Sequence, residues 1–274
     1  MKEAHSLQIG ISTASFFNRM TIEDAVLQLG AHGVPAAELF LNSFCEYEPA
    51  FTAMLAERAR AANLRIHSVH PMSTQFEPQL FSLHPRQRED AFRIYERVLQ
   101  AARTLGAACY VMHGAATLNG AAKNLELARI APIFSELDEM ARAYGVTLAL
   151  ENVSWCLFCT PSFGLRLREL TKDRMHFTLD IKQAVRSGFS PEDYMDAVGD
   201  RIVNVHLCDY ERLENGAFRW RMPTQGQCDF SALRAALLAH GYRGPAFVEV
   251  YSDMYDDVDA LYRARTDCEC ALGA

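Results

Sequence analysis

The sequence predicts an α/β fold in a single domain, an eight-stranded parallel barrel ringed by helices, (β/α)8. Three observations lead there. Short apolar runs alternate strictly with stretches of helical periodicity, eight times along the chain, as a parallel sheet requires. No linker-like stretch or break in composition divides the 274 residues. Four of the apolar runs stop abruptly at a polar residue: Thr147–Leu150 at Glu151, Phe177–Leu179 at Asp180, Val203–Val205 at His206, and Ala246–Val248 at Glu249. A strand packed on both faces that delivers a polar side chain at its C-terminal end is how a barrel strand presents its rim. A doubly wound open sheet, the alternative, would carry G-x-G-x-x-G after its first strand and one switch point; this chain shows neither.

The elements follow in order. Leu7–Ile11 is strand one, and Thr21 with Glu23 and Asp24 opens a helix that stops at Gly33. Ala36–Phe40 reads as strand two, and a helix from about Pro49 to Ala62 leads to Leu64–His70, strand three, closed by Pro71. Pro85 opens a long helix after a loop. Its apolar residues Ala91, Ile94, Tyr95, Val98, Leu99, Ala102 and Leu105 keep helical spacing until Gly106. Ala108–Gly114 is strand four. The next helix, about Leu125 to Tyr144, puts Ile130, Ile133, Phe134, Leu137 and Met140 on one face, and Pro132 implies a kink or a later start.

Strand five ends at Glu151. A short helix over about Gly164–Leu170 precedes strand six, and Ser190-Pro191-Glu192 supplies cap, N1 proline and first-turn acid for the next helix. Strand seven leads into a loop rich in charge and aromatics, Tyr210–Thr224. Asp229 caps a helix to about His240, strand eight follows, and a helix over about Tyr255–Arg265 completes a barrel over residues 1–266. Residues 267–274, with Cys268 and Cys270, are expected to form a flexible tail.

Composition narrows the classes. With 50% hydrophobic and 22% charged residues the chain suits one globular domain with a large core. A formal charge of −7 is no phosphate-backbone footprint, so no nucleic-acid partner is expected. No apolar run reaches the roughly 18 residues of a membrane span, and Met1–His5 leads into no signal-peptide segment. A cytoplasmic protein that avoids membranes is the expectation, and a homo-oligomer is compatible with it. The eight cysteines then read as reduced thiols, Cys156-Leu157-Phe158-Cys159 included, since no second pair sits at zinc-finger distance.

Strand parity supplies an internal check. If Glu151 points into the barrel, so do Ala149 and Thr147, while Leu148 and Leu150 face the helices. Asp180 brings Thr178 inward and sends Phe177 and Leu179 out. His206 brings Asn204 inward and sends Val203, Val205 and Leu207 out. In each strand the bulky residues fall under the helices. The same parity turns His67 away from the lumen.

Taken singly, a strand-end carboxylate caps the following helix, and a strand histidine is a satisfied core group, about as often as either binds anything. Four in phase, about one βα unit apart, converge at the rim where barrel active sites lie. Three inward carboxylates repel one another unless a cation neutralises them. The oxygen and nitrogen donors of Glu151, Asp180, His206 and Glu249 suit one divalent ion, Mn²⁺, Mg²⁺, Co²⁺ or Zn²⁺, without choosing among them.

The run His70-Pro71, His113-Gly114, Glu151-Asn152, Leu179-Asp180 leading to Ala184 and Gly188, His206-Leu207-Cys208-Asp209 and Val248-Glu249 resembles the xylose isomerase-like TIM-barrel superfamily over nearly the whole chain. That group contains sugar isomerases and epimerases, inosose dehydratases and endonuclease IV. The resemblance implies a divalent metal on the same four residues. It also implies that Glu151 and Glu249 remove and return a proton beside a substrate carbonyl through a metal-stabilised enediolate. The implied activity is a sugar or polyol isomerase or epimerase. His70 and His113 would contact substrate hydroxyls or a second metal, and Arg212 matches a substrate-contacting arginine. Glu38 and Trp155 are further candidates for the sugar pocket.

Two departures stand out. Many members carry a histidine where this chain has Gln183, with Lys182 beside it as a group that can engage a substrate hydroxyl or carboxylate. The Asp-x-His pair of the trinuclear endonuclease site would fall near Phe218 and Trp220, which cannot bind metal, so a phosphodiesterase is not expected. A keto-inositol-type dehydratase on the same site is the alternative within enzymes. A catalytically silent sugar-binding barrel is the alternative outside them.

Overall fold

A computed structural model describes residues 7–116 and 127–273. The apolar runs lie as strands β1 (Ile9–Ser12), β2 (Ala36–Leu41), β3 (Arg65–Pro71), β4 (Cys109–Met112), β5 (Thr147–Glu151), β6 (His176–Asp180) and β7 (Ile202–Leu207). A hairpin, β8 (Asp209–Arg212) and β9 (Phe218–Arg221), precedes the last barrel strand, β10 (Ala246–Val248). Strands β1 to β7 and β10 pair in parallel around a ring that β10 closes by pairing with both β7 and β1. The expected (β/α)8 barrel is the observed fold.

The helices form where caps and periodicity put them. Thr21 accepts from the Asp24 amide at the start of α1 (Ile22–Ala31). After α2 (Pro49–Ala61) and the short α3 (Glu77–Leu80), α4 (Pro85–Leu105) begins on a proline and stops at Gly106, whose φ of 72° is left-handed. Helix α5 (Leu127–Ala143) holds Pro132 inside it and buries Ile130, Ile133, Phe134 and Leu137. Residues 125 and 126, assigned to this helix from the sequence, lie outside the described residues. Helices α6 (Pro161–Leu170), α7 (Ile181–Arg186), α8 (Pro191–Val198), α9 (Phe230–Ala239) and α10 (Asp259–Ala271) follow. Ser190 and Asp193 form a capping box on α8, and Asp229 accepts from the Ala232 amide on α9. None of the described helices is long and apolar enough to cross a membrane.

The outward strand residues Leu148, Leu150, Phe177, Leu179, Val205 and Leu207 are all buried beneath this helical layer, as parity requires. The lumen is packed too. Near its N-terminal end the Phe247 ring lies against the His67 imidazole, centroids 5.5 Å apart. Gly10 makes room: a Cβ there would sit 2.6 Å from the Phe247 ring and 2.3 Å from the Ala36 carbonyl oxygen.

Three expectations need correction. His67 points into the barrel, its Nε2 3.1 Å from the Val203 carbonyl across the lumen. The pairs Ala37↔Ile66 and Glu38↔Ser68 skip His67, so it is a bulge residue, and strict alternation does not survive a bulge. The segment Tyr210–Thr224 contains the β8–β9 hairpin, along which Tyr210, Phe218 and Trp220 pack ring to ring. The C-terminal segment is no tail. Helix α10 runs to Ala271, and Cys268 and Leu272 are fully buried, while Cys270 alone of the pair is exposed.

Leu272→Ala is therefore expected to cost about 2–5 kcal/mol in urea unfolding, as for a leucine taken from a packed core. A loss within the noise would restore the tail.

Candidate metal centre at the barrel rim

Strands β5, β6 and β7 end in or just beyond Glu151, Asp180 and His206, and Glu249 directly follows β10. Their donor atoms all lie within 4.8 Å of one another. His206 Nδ1 is central: 3.5 Å from Glu151 Oε1, 3.7 Å from Asp180 Oδ2 and 3.4 Å from Glu249 Oε2. All four residues are buried. The Asp180 carboxylate divides its work. Oδ1 accepts from the Gln183 amide at 2.6 Å and so caps α7, while Oδ2 faces the cluster. Asn152 fixes this strand end, accepting from the Asp180 amide at 2.6 Å and donating to the Asp180 carbonyl at 2.9 Å.

Beneath the cluster lies Glu38, fully buried on β2. It accepts from Ser12 Oγ at 3.1 Å, Ser68 Oγ at 2.7 Å and Asn204 Nδ2 at 2.8 Å, and Oε1 lies 3.0 Å from His206 Nε2. His206 directs Nε2 at Glu38 and Nδ1 at the three rim carboxylates, so in the neutral ring that binds a metal a proton on Nε2 toward Glu38 would leave the Nδ1 lone pair for the ion. To one side, His70 Nε2 lies 2.9 Å from His113 Nε2, which in turn lies 3.0 Å from Glu151 Oε2. Ser73 Oγ is 2.7 Å from His113 Nδ1. His70, His113 and Glu151 also gather donor atoms at metal-binding separation.

The electrostatics show what the pocket lacks. Burial alone would lower the His206 pKa, but Glu249, Glu38 and Glu151 outweigh it and hold the imidazole pKa well above its usual value. Burial, and then the Glu38 and Glu151 charges, push Glu249 above the ordinary carboxylate range against the pull of His206 and Lys182. Glu38 is held well below that range, because His206 and His70 overcome the cost of burying it. Among the described residues, Asp180 Oδ2, Glu249 Oε2 and His206 Nδ1 are buried without a hydrogen-bond partner. Three orphaned donors converging in a carboxylate-rich hole fit a divalent cation.

Above the cluster opens a cavity of about 700 Å³, its walls including Phe40, His70, His113, Trp155, Lys182 and Tyr251. Glu151, Gln183 and Glu249 also line it, whereas Asp180, His206 and Glu38 lie below. Trp155 packs edge-on against His113. Gln183 turns its carboxamide oxygen to Ser154, accepting from the amide at 3.2 Å and from Oγ at 2.9 Å. Lys182 is buried with its ammonium 4.3 Å from the centre of the Tyr251 ring.

The structure brings together all but one of the sequence-predicted site residues. Arg212 is exposed on the β8–β9 hairpin, its backbone amide donating to Gln227 Oε1, and it does not line the cavity. A spacing after His206 cannot report which way a hairpin strand turns its side chain. Glu38 sits under the four-residue cluster and not in the cavity wall. Sequence reasoning missed Glu77, whose buried carboxylate accepts from the His113 amide at 2.9 Å, the Gly114 amide at 2.8 Å and Tyr110 Oη at 2.8 Å. It fixes the end of β4 that carries His113, and nothing in the local pattern around Glu77-Pro78 announces this.

Fold and site define a class: a parallel (β/α)8 barrel with a divalent-ion donor set at its C-terminal rim. The chain belongs to the xylose isomerase-like TIM barrel family, whose model matches residues 24–269. Its fold is similar to that of a D-tagatose 3-epimerase-like protein, with a TM-score of 0.79, 19% identity and 97% of each chain covered. It is also similar to the IOLI protein with a bound zinc atom, with a TM-score of 0.81 and 18% identity over 97% of this chain and 98% of that one. A stretch of 124 residues is 26% identical to 3-dehydroshikimate dehydratase of Pseudomonas putida, covering 43% of this chain and only 20% of that enzyme's length.

Replacing Glu38 by Gln is expected to weaken divalent-metal affinity about 10–100-fold in a competition titration, the range found when such supporting carboxylates are lost. Unchanged affinity would remove Glu38 from the site.

Proposed function

We propose that the chain is a divalent-metal-dependent enzyme that isomerises or epimerises a small sugar or polyol derivative by moving a proton at the carbon beside a carbonyl. One observation carries the reading. Glu151 and Glu249 stand in the wall of the same cavity, their carboxylate oxygens 3.5 and 3.4 Å from His206 Nδ1, on strands that β6 and β7 separate. A carbon held above the cluster is within reach of two carboxylates that come from different strands.

Glu151, Asp180, His206 and Glu249 would hold the ion, which when bound supplies Lewis-acid polarisation of the substrate carbonyl and acidifies the neighbouring C–H. Glu151 and Glu249 then take the proton and give it back, from opposite faces for epimerisation. Glu38 holds the His206 ring in place throughout. His70 and His113 are positioned to hydrogen-bond substrate hydroxyls, and Phe40 and Trp155 wall the reacting centre from water. The epimerase-like barrels among the structural relatives support this reading.

The partial match to a dehydratase favours a second reading, in which the same carboxylates remove the proton and a hydroxyl leaves as water. A D₂O experiment separates the two. Deuterium appearing at carbon without loss of water marks the isomerase or epimerase, and loss of water marks the lyase. Glu151→Gln and Glu249→Gln are each expected to slow turnover at least about 100-fold while leaving the circular-dichroism spectrum unchanged. Full turnover in both would end the proton-transfer account. Thermal shifts on a sugar panel with no turnover of any member would point to a silent binding barrel instead.

A separate measurement tests the metal. At about 100 times its Kd, Mn²⁺ or Zn²⁺ is expected to add about 2.7 kcal/mol to the unfolding free energy, since ions that bind only the folded state stabilise it by mass action. Glu249→Gln should lose most of that gain. A wild-type stability indifferent to every divalent ion would contradict the assignment.

A further inference from the structure

We propose that the cavity selects a substrate bearing an anionic group, a carboxylate or a phosphate ester, gripped by Lys182 and Arg186. The proposal deepens the isomerase reading and rests on it for the placement of the rest of the substrate. Lysine is almost never fully buried unless paired, yet Lys182 is only 4% exposed and lines the cavity. Its ammonium lies 3.9 Å from Asp180 Oδ2, outside hydrogen-bond reach, and over the face of Tyr251 at 4.3 Å. No hydrogen bond to it forms among the described residues. A divalent ion would neutralise two of the three negative charges on Glu151, Asp180 and Glu249, which weakens their hold on Lys182, and the N–H donors of this buried ammonium in the cavity wall would still have no acceptor.

Arg186 strengthens the case. It follows Lys182 at i+4 on α7, on the same helix face, and lines the same cavity from its exposed mouth. A point charge inside and a forked donor at the entrance are the parts of an oxyanion grip. Gln183 lines the same wall with its carboxamide oxygen taken by Ser154, which leaves its amide nitrogen, a donor, as the group it can offer an anion. The other charged groups in the wall are Glu151 and Glu249, committed to the ion, the His70–His113 pair, and Asp253 at the rim. A neutral hydroxyl would offer the buried ammonium a dipole where an anion offers a full charge.

Calorimetry on the Mn²⁺-loaded enzyme with D-glucuronate, D-fructose 6-phosphate and D-fructose at constant ionic strength tests this, run beside D₂O exchange on the same compounds. At least one anionic probe is expected to bind about tenfold or more tightly than fructose, the return of a charge-assisted contact. Which anion wins identifies carboxylate or phosphate. That preference should shrink to about threefold or less in Lys182→Met and in Arg186→Met, the latter an exposed position where folding is not in question. Fructose binding as tightly as both anions, neither anion binding, or a preference that survives both substitutions would overturn the proposal. The two readings fail separately. Lysine-dependent anion binding without exchange at any carbon sinks the proton transfer and keeps the grip; exchange on fructose with no anion binding does the reverse.

Discussion

The contact between Glu38 and His206 governs the rim. A neutral imidazole has one donor nitrogen and one acceptor, and which is which depends on what the other nitrogen meets. Glu38 lies 3.0 Å from His206 Nε2, and that leaves Nδ1 to face Glu151, Asp180 and Glu249. Glu38 itself does not move, because Ser12, Ser68 and Asn204 donate to it from strands β1, β3 and β7. A carboxylate held by three strands orients a ring on one of them, and that ring stands at the centre of the rim cluster. The barrel is what makes this reach possible. Only a closed sheet brings side chains from opposite strands to a common point.

The arrangement has a cost that the fold carries elsewhere. Glu38, Glu151, Asp180 and Glu249 are all buried in a space that also holds His70 and His206. Each buried charge without full compensation is unfavourable by several kcal/mol, and Asp180 Oδ2, His206 Nδ1 and Glu249 Oε2 are among the buried atoms here with no hydrogen-bond partner in the described residues. The apolar layer between strands and helices supplies the stabilisation that tolerates this, with Leu148, Leu150, Phe177, Leu179, Val205 and Leu207 all buried on the outer face of the same strands. Along each strand, one parity serves packing and the other serves the site.

That division explains what could be read from the sequence. Glu151, Asp180, His206 and Glu249 were legible because each ends an apolar run in phase with inward-facing partners. The barrel was legible because strands and helices alternate with clear caps, such as Thr21, Ser190 and Asp229. What failed depended on geometry that no periodicity encodes. A single bulge at His67 reversed its direction. The hairpin after β7 carried Arg212 away from the mouth. Glu77 lies in a stretch with no strand or long-helix pattern, yet three donors from β4 and the residues just after it converge on its carboxylate. Cys268 and Leu272 looked terminal, and terminal position says nothing about whether a helix docks.

The junction of β6 and α7 joins the rim cluster to the cavity wall. Within four residues, Asp180 ends the strand, caps the helix through Oδ1 and turns Oδ2 to the cluster. Lys182 enters the cavity wall, and Gln183 holds Ser154 in the loop that also brings Trp155 to the opening. Asn152 bonds both the amide and the carbonyl of Asp180, so this corner is locked to β5 as well. Helix α7 cannot shift without breaking its own cap, and the capping residue, Asp180, is also a member of the rim cluster. The backbone that places Lys182 in the cavity wall is therefore the backbone that places Asp180 in the rim cluster, with Arg186 exposed at the end of the same helix.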